Sequence, residues 1–265
     1  MITNSYNMIE IEKNPIKNYR KLKCEECING NMLDFQFSMA FQPIVDTRTK
    51  TVFSQEALVR GVNNEPANFI LSKINDENRY SFDQSCRVKA IELASRLGLK
   101  SKVNINFFPN AIYQPETCIQ TTLEASQKYG LPISSIILEI TEGEQVVNHS
   151  HIVSIFKEYR KQGLLTAIDD FGAGYSGLNL LADFQPDFLK LDMLLIRNID
   201  KDKTRRIIVN SIVKICQEIN ISVIAEGVET KSELDCLEDL GIFLFQGYYY
   251  SKPSFEALTT PKDFQ

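Results

Sequence analysis

Polar residues mark the ends of most of the short apolar segments in this chain. They are Glu56, Asn106, Glu139, the pair Asp169–Asp170, Lys190, Glu226 and Gln246. If these segments are strands of one α/β barrel, their carboxyl ends meet at a single face. Five carboxylates and one ammonium then converge there. Carboxylates a few ångströms apart repel by about 4 kcal/mol per pair at an effective dielectric of 20, so the cluster requires counter-charge.

Two divalent cations would supply that counter-charge. The converging donors are hard oxygens, which suit Mg²⁺ or Mn²⁺ better than Zn²⁺. A pair of such ions is an established device for in-line displacement at phosphorus. The chain has two histidines, His149 and His151, which excludes any metal site built from three histidines.

Each of these residues also has a structural explanation. A single glutamate at a strand end is commonly a solvated rim charge, and Lys190 can extend its stem along an apolar surface to reach water. Asp169–Asp170 can cap the helix that follows. Their joint occurrence at most of the strand ends favours one shared site.

The strands that must position these residues are short and apolar. They are predicted over 36–45, 51–60, 102–107, 135–141, 164–170, 187–192, 221–226 and 242–246. Only Asp46–Lys50 links the first two, whereas a parallel crossover needs about a dozen residues. The pattern predicts an α/β fold, a modified (β/α)8 TIM-like barrel whose first strand is antiparallel. Residues 31–262 are expected to form the barrel, and 1–30 an N-terminal extension.

Apolar spacing predicts helices between most of the strands. In 83–98 and 115–129 the apolar face is clear, and Gly130 is expected to end the second helix. In 204–219 the predicted buried stripe is Ile208, Ile212, Ile215, Cys216 and Ile219. Thr230 and Glu233 have the spacing of a capping box. Cys86 and Cys216 are expected to be buried thiols.

Composition limits the classes of partner and the compartment that are expected for this protein. The net charge of −5 and the pI of about 5.3 do not favour binding of duplex nucleic acid or an anionic membrane. No apolar run approaches the roughly 18 residues of a membrane-spanning helix, so no membrane insertion is expected. No signal peptide is recognised, and the cytoplasm is the expected compartment. Cys24 and Cys27 form a CxxC without a second ligand pair, and their role stays open.

Longer motifs give the chain a family resemblance. The sequence contains Glu56-Ala-Leu-Val-Arg60, Glu139-Ile-Thr-Glu142, Asp169-Asp-Phe-Gly-Ala-Gly-Tyr-Ser176, Leu189-Lys-Leu-Asp192, Ala225-Glu-Gly-Val-Glu-Thr230 and Gln246-Gly-Tyr248. In this order, over about 36–255, they resemble the EAL domain, the cyclic-di-GMP phosphodiesterase of bacterial second-messenger signalling. The loop reads GAGYSG where relatives more often have GTGYSS.

The resemblance implies two metal ions, Mg²⁺ or Mn²⁺, with Ca²⁺ expected to bind without supporting turnover. It assigns Glu56, Asn106, Glu139 and Asp169 to one ion, and Asp169, Asp170 and Glu226 to the other. Asn104 is a second candidate on the same strand face, and Asn106 is preferred because it ends the strand. A water bridging the metals is the implied nucleophile.

The resemblance also implies roles around that water. Lys190 would lie beside it, Gln246 would hydrogen-bond a metal-bound water, and Glu142 would hold the loop 171–177. Gln42, Arg60, Asp192, Tyr248 and Pro253 would bind the nucleotide, with Asp83 a weaker candidate for reading a guanine edge.

The leading interpretation is hydrolysis of cyclic-di-GMP to linear pGpG. The alternative is a catalytically weak relative that acts as a cyclic-di-GMP receptor or a protein-interaction module. Activity on other cyclic dinucleotides also stays open. A homodimer is expected, with contacts through the region that follows the fifth strand. Control by a regulatory partner protein is also expected.

Overall fold

The computed structural model describes residues 33–141, 149–173 and 177–261. Within these ranges, eight strands close into a barrel in the order β2-β3-β4-β5-β6-β7-β8-β1, and β1 pairs with β2 to complete the ring. The strands are β1 Phe37–Asp46, β2 Thr51–Gly61, β3 Lys102–Asn106, β4 Ile136–Thr141, β5 Leu165–Phe171, β6 Phe188–Leu191, β7 Ser222–Ala225 and β8 Leu244–Phe245. The predicted barrel and its eight strand positions are therefore confirmed.

Strand β1 runs against both of its neighbours. It pairs antiparallel with β2 from Phe37–Gly61 to Asp46–Thr51, and antiparallel with β8 through Val45 and Asp46. The other neighbouring pairs, from β2–β3 to β7–β8, are parallel. The short link after β1 permits a hairpin but no crossover, so the predicted reversal is confirmed.

Helices in the described ranges surround the barrel. They are α1 Ala67–Leu71, α2 Arg79–Arg96, α3 Pro115–Cys118, α4 Gln120–Tyr129, α5 His149–Lys161, α6 Gly177–Asp183, α7 Met193–Ile196, α8 Lys203–Glu218 and α9 Lys231–Asp239. Short 3₁₀ turns lie at Pro109–Ala111 and Ile133–Ser135. The helix predicted over 115–129 is divided into α3 and α4, and Gly130 ends α4 in the left-handed conformation at φ 68°. The Thr230–Glu233 capping box of α9 is present.

Side chains alternate between the barrel lumen and the helix layer. The lower lumen is filled by the apolar residues Ile44, Ile137, Ala167, Phe188, Ile224 and Leu244. Two residues further along most of these strands, the lumen becomes polar, because successive inward positions are two apart. The apolar layer therefore forms a floor beneath the polar residues at the carboxyl ends.

The β1–β2 hairpin leaves one side of the barrel without a crossover helix. The C-terminal segment packs there: β9, Ser254–Phe255, pairs with Ala40 and Phe41 of β1. Gln55 is buried on β2 and donates to the carbonyl of Thr259 at 2.8 Å. The C-terminal segment therefore covers the outer face of the β1–β2 hairpin, whereas helices cover the other strands.

The predicted face of α8 is partly wrong. Val209, Val213 and Cys216 are buried, whereas Ile208 and Ile215 are 43% and 42% exposed. This helix carries isoleucine or valine on more than one face, so apolar spacing alone did not identify the buried face. Cys86 and Cys216 are buried, as predicted.

None of the helices in the described ranges has the length and apolar character required to cross a membrane.

Candidate metal centre

Lys190 lies at the middle of the polar end of the lumen. Its side chain is completely buried on β6, and alternation with the outward-facing Leu189 and Leu191 directs it inward. Its Nζ atom lies 3.2 Å from Glu56 Oε2, 3.1 Å from Glu139 Oε2, 3.0 Å from Asp169 Oδ1 and 2.7 Å from Glu226 Oε1. Strands β2, β4 and β5 and the residue that follows β7 thus place one carboxylate each against a single ammonium.

These carboxylates fall into two groups that can each hold a metal ion. Glu56, Glu139 and Asp169 offer oxygens within 4.8 Å of one another, and so do Asp169, Asp170 and Glu226. Asp169 belongs to both groups. The donors are oxygens throughout, and negative charge exceeds the single positive charge of Lys190. The residues therefore fit two hard divalent cations that share Asp169.

A distortion of β5 allows two consecutive aspartates to serve one centre. Adjacent residues of a regular strand point to opposite faces. The β5–β6 register is interrupted between Ile168 and Phe171, and Asp170 has a positive φ of 53°. The backbone N–H of Asp170 donates to Asp169 Oδ1 at 2.9 Å. The bulge brings both carboxylates toward Glu226, at the modest cost of a left-handed aspartate.

Neutral amides hold the carboxylates from the sides. Gln246 Nε2 donates to Glu56 Oε2 at 2.8 Å and to Gln42 Oε1 at 3.3 Å. Asn106 Nδ2 donates to Glu56 Oε1 at 3.0 Å, and Asn104 Nδ2 donates to Glu139 Oε1 at 2.5 Å. Both asparagines therefore face the lumen, as their spacing predicts.

Burial and mutual repulsion disfavour the ionised carboxylates. Burial raises the pKa of Glu139 to about 8, where attraction to Lys190 is offset by repulsion from Glu56 and Asp169. Burial, then Asp169, raises the pKa of Asp170 to about 6 and that of Glu226 well above its usual range. Burial lowers the pKa of Lys190, but the surrounding carboxylates outweigh it and raise the pKa overall. The lysine is therefore a fixed cation near neutral pH.

Most of the residues predicted to bind a nucleotide surround the same end of the barrel. Gln42 is buried and donates to the carbonyl of Ser251 at 3.1 Å. Asp192 caps α7 by accepting from the Leu194 N–H at 2.7 Å. Tyr248 is 57% exposed, and Arg60 and Pro253 are half-buried. The exposed ring and the half-buried guanidinium leave surface for a ligand at the mouth.

Asp83 has surroundings that do not suit the predicted reading of a guanine edge. Its side chain is 1% exposed and pairs with Arg87, with Oδ2 and Nη2 2.8 Å apart. The other oxygen accepts the Phe108 N–H at 2.8 Å, and Arg87 Nη1 donates to Thr122 Oγ1 at 2.8 Å. Both oxygens are occupied inside the helix layer, which favours a structural role for Asp83, and its reading of a guanine edge stays a prediction. Sequence spacing does not reveal the structural role, because an aspartate followed four residues later by an arginine also occurs on exposed helices.

Three predicted features lie outside the described residues. They are Glu142, the Cys24–Cys27 pair and positions 174–176 of the loop 171–177. The hydrogen bond from Asn104 to Glu139 is a feature that sequence reasoning missed. The sequence does carry one signal for this bond: Asn104 and Asn106 are two residues apart, so both side chains lie on the same face of β3.

Fold and site together define a (β/α)8 barrel with one reversed strand and an acidic cluster at its mouth. The family model of the EAL domain matches residues 28–253. The chain therefore belongs to the EAL domain family.

Curated relatives carry related names. The blue light- and temperature-regulated antirepressor BluF of Escherichia coli K12 is 32% identical over 83% of this chain and 55% of its own length. The probable cyclic di-GMP phosphodiesterase PdeG of the same organism is 30% identical over 85% of this chain and 45% of its own length. The chain spans about half the length of these relatives.

Solved structures agree with the fold. A standalone EAL protein from Vibrio cholerae O395, in its c-di-GMP-bound form, is 56% identical, with a TM-score of 0.85 over 87% of this chain and 97% of that one. BlrP1 of Klebsiella pneumoniae, in a manganese and cyclic-diGMP complex, is 37% identical, with a TM-score of 0.79 over 86% of this chain and 58% of that one.

Proposed function

We propose that this protein hydrolyses cyclic-di-GMP to linear pGpG. The observation that carries the proposal is the acidic cluster around Lys190, in which four carboxylates, at or directly after four different strand ends, contact its ammonium. A receptor has no need of such a costly buried arrangement of like charges. The name of PdeG and the ligand of the Vibrio cholerae structure support the substrate.

We assign two divalent cations, Mg²⁺ or Mn²⁺, to this cluster. Glu56, Asn106, Glu139 and Asp169 would hold one, and Asp169, Asp170 and Glu226 the other. Asn106 joins the first set after rotation of its amide, which now donates to Glu56. When bound, such ions lower the pKa of a coordinated water and neutralise charge on a phosphoryl group. Ca²⁺ is expected to bind without supporting turnover.

The chain's own residues orient the reactants. Lys190 keeps a permanent positive charge at the centre, where it can hold the attacking water and stabilise negative charge developing on the phosphoryl oxygens. Gln246 orients Glu56 by donating to its Oε2 atom, and its amide lies where it can also hydrogen-bond a metal-bound water. Arg60 is assigned to a substrate phosphate, and Gln42, Asp192, Tyr248 and Pro253 to the nucleotide pocket. Addition of one water opens one phosphodiester bond of the ring.

The decisive experiment is incubation of purified protein with cyclic-di-GMP and Mg²⁺ or Mn²⁺, followed by chromatography. We expect pGpG, and no product with EDTA or Ca²⁺. Glu56→Gln is a matched control because it keeps the shape of the side chain and removes one ligand charge. Binding of cyclic-di-GMP without product, in the presence of Mn²⁺, would contradict the enzyme and support the receptor.

A role in protein interaction is the second candidate. One relative is named an antirepressor, and the outer surface carries exposed apolar side chains. On this reading the barrel binds cyclic-di-GMP or a regulatory partner protein without turnover. The chromatographic assay distinguishes the two candidates.

We also propose a homodimer. The exposed apolar residues of α6, α7 and α8 include Leu178, Leu194, Ile207, Ile208 and Ile215. Leu178 lies directly after β5, in the region through which a dimer is expected, and the other four residues follow β6. Light scattering of the wild type and of Ile207→Asp tests this: a monomeric wild type with full activity would remove the proposal.

The remaining assignments concern the division of the chain into domains and the compartment of the protein. Residues 31–262 are proposed as the catalytic barrel and 1–30 as an N-terminal extension, in a protein of the cytoplasm. Limited proteolysis followed by the activity assay tests the division: loss of turnover on removal of 1–30 would contradict it.

A further inference from the structure

Asn104 lies deeper in the lumen than Asn106, the proposed metal ligand of the same strand. It precedes Asn106 by two residues on β3 and is completely buried. Its Nδ2 atom donates to Glu139 Oε1 at 2.5 Å. The other oxygen of Glu139, Oε2, lies 3.1 Å from Lys190 Nζ. Glu139 is therefore held by an amide on one oxygen and an ammonium on the other.

The two ends of the Asn104 amide have different surroundings, which burial alone does not explain. Asn104 Oδ1 has no hydrogen-bond partner within the described residues, and the same holds for the buried Ser54 Oγ on the neighbouring strand. An unpaired buried acceptor is unfavourable, because it has lost its hydrogen bonds to water. An apolar residue avoids that cost, whereas an aspartate adds charge to an already acidic cluster. What an asparagine contributes here is a neutral donor aimed at Glu139.

We propose that Asn104 is a positioning residue for the metal centre, acting through Glu139. Its donor fixes the carboxylate so that Oε2 stays turned toward the shared centre with Glu56 and Asp169. The inference rests on the proposed function of this cluster as a metal site. Asn104 holds a ligand in place, and Asn106, nearer the mouth, remains the ligand of the pair.

Hydrogen-bond partners of metal ligands typically contribute about 10- to 100-fold in metal affinity or activity. We therefore expect Asn104→Leu, which has similar volume and no donor, to weaken Mn²⁺ binding by about that factor. Asn104→Ser retains a donor and should recover part of the affinity. Both variants should still bind two equivalents at high Mn²⁺, because no ligand is lost.

The test is calorimetric titration of the metal-free protein with Mn²⁺, accompanied by thermal unfolding. Ile105→Val is the matched control, because Ile105 is equally buried on the same strand but faces the helix layer. It should lower stability slightly and leave Mn²⁺ affinity unchanged. Affinity loss in Asn104→Leu with partial recovery in Asn104→Ser supports the inference.

Three results overturn it. Mn²⁺ affinity within twofold of wild type in Asn104→Leu means that the donor does not position Glu139. Equal loss in Asn104→Leu, Asn104→Ser and Ile105→Val means a general packing effect. Loss of one whole equivalent of Mn²⁺ makes Asn104 a ligand. If the wild-type protein binds no Mn²⁺, the proposed function fails first, and that result is distinguishable from these three.

Discussion

Replacement of Lys190 by methionine removes the charge at the centre of the acidic cluster and keeps most of the side-chain volume. At about 3 Å and an effective dielectric of 20, each ammonium–carboxylate contact contributes about 5 kcal/mol before the cost of desolvation. Four such contacts surround Nζ. Measured losses on removing one partner of a buried pair are about 3–5 kcal/mol, which is the better guide to the net effect.

Lys190→Met should therefore lower the unfolding temperature of the metal-free protein by about 10 °C, at about 2–4 °C per kcal/mol for a chain of this size. Affinity for divalent cations should rise, because the variant no longer holds a competing cation. Removal of even about 1.4 kcal/mol of repulsion gives a tenfold gain. Turnover with Mn²⁺ should nevertheless fall about 10²–10³-fold, since a donor to the transition state is lost.

The assay compares thermal unfolding in EDTA and in Mn²⁺, calorimetric metal titration, and single-turnover hydrolysis. The expected signature is an unstable metal-free variant that Mn²⁺ rescues but that does not react. Equal unfolding temperatures of metal-free wild type and variant would refute the argument about counter-charge. Lost binding of cyclic-di-GMP with unimpaired chemistry would instead make Lys190 a substrate anchor.

Further predictions concern the carboxylates. Glu56→Ala should abolish nearly all turnover, because the carboxylate is a proposed ligand and also the acceptor of three amide or ammonium donors; retention of most activity in the chromatographic assay would contradict the assignment. The raised pKa values of Asp170, about 6, and Glu139, about 8, mean that protons compete with metal, so calorimetric Mn²⁺ affinity should increase as pH rises through this range. The same groups are more protonated when folded than when unfolded, so stability in EDTA should decrease between about pH 4.5 and 8; a flat unfolding temperature over that interval would count against it. Asp83→Asn should lower the free energy of unfolding by about 3–5 kcal/mol in denaturant titrations, because Arg87 is left charged and buried. The folded variant should keep wild-type affinity for cyclic-di-GMP. A selective loss of nucleotide affinity would instead support Asp83 as a residue that reads a guanine edge.

Much of this site was predictable because barrel geometry converts sequence position into spatial position. The inward period of two places Glu139 above Ile137 and Lys190 above Phe188, so the strand ends identify the cluster without any contact information. The reversal of β1 follows from a link too short for a crossover. Such features depend on local spacing, which sequence records directly.

Other features depend on partners distant in the chain. Asp83 and Arg87 have helical spacing, but their burial is set by Phe108 and Thr122, which no local pattern identifies. Similarly, α8 presents apolar residues on more than one face, and packing on the barrel selected Val209 and Val213 over Ile208. The bulge at Asp170 is also beyond sequence reasoning, since Asp-Asp is compatible with a regular strand.

The reversed first strand determines where upstream polypeptide joins the barrel. Phe37 pairs with Gly61, at the carboxyl end of β2, so the chain enters the barrel at the mouth, beside the acidic cluster. In a barrel of eight parallel strands it enters at the opposite end. Polypeptide ahead of residue 37 is consequently joined to the barrel at the rim of its mouth. Movements of that polypeptide therefore reach the mouth of the barrel without being transmitted through the barrel wall.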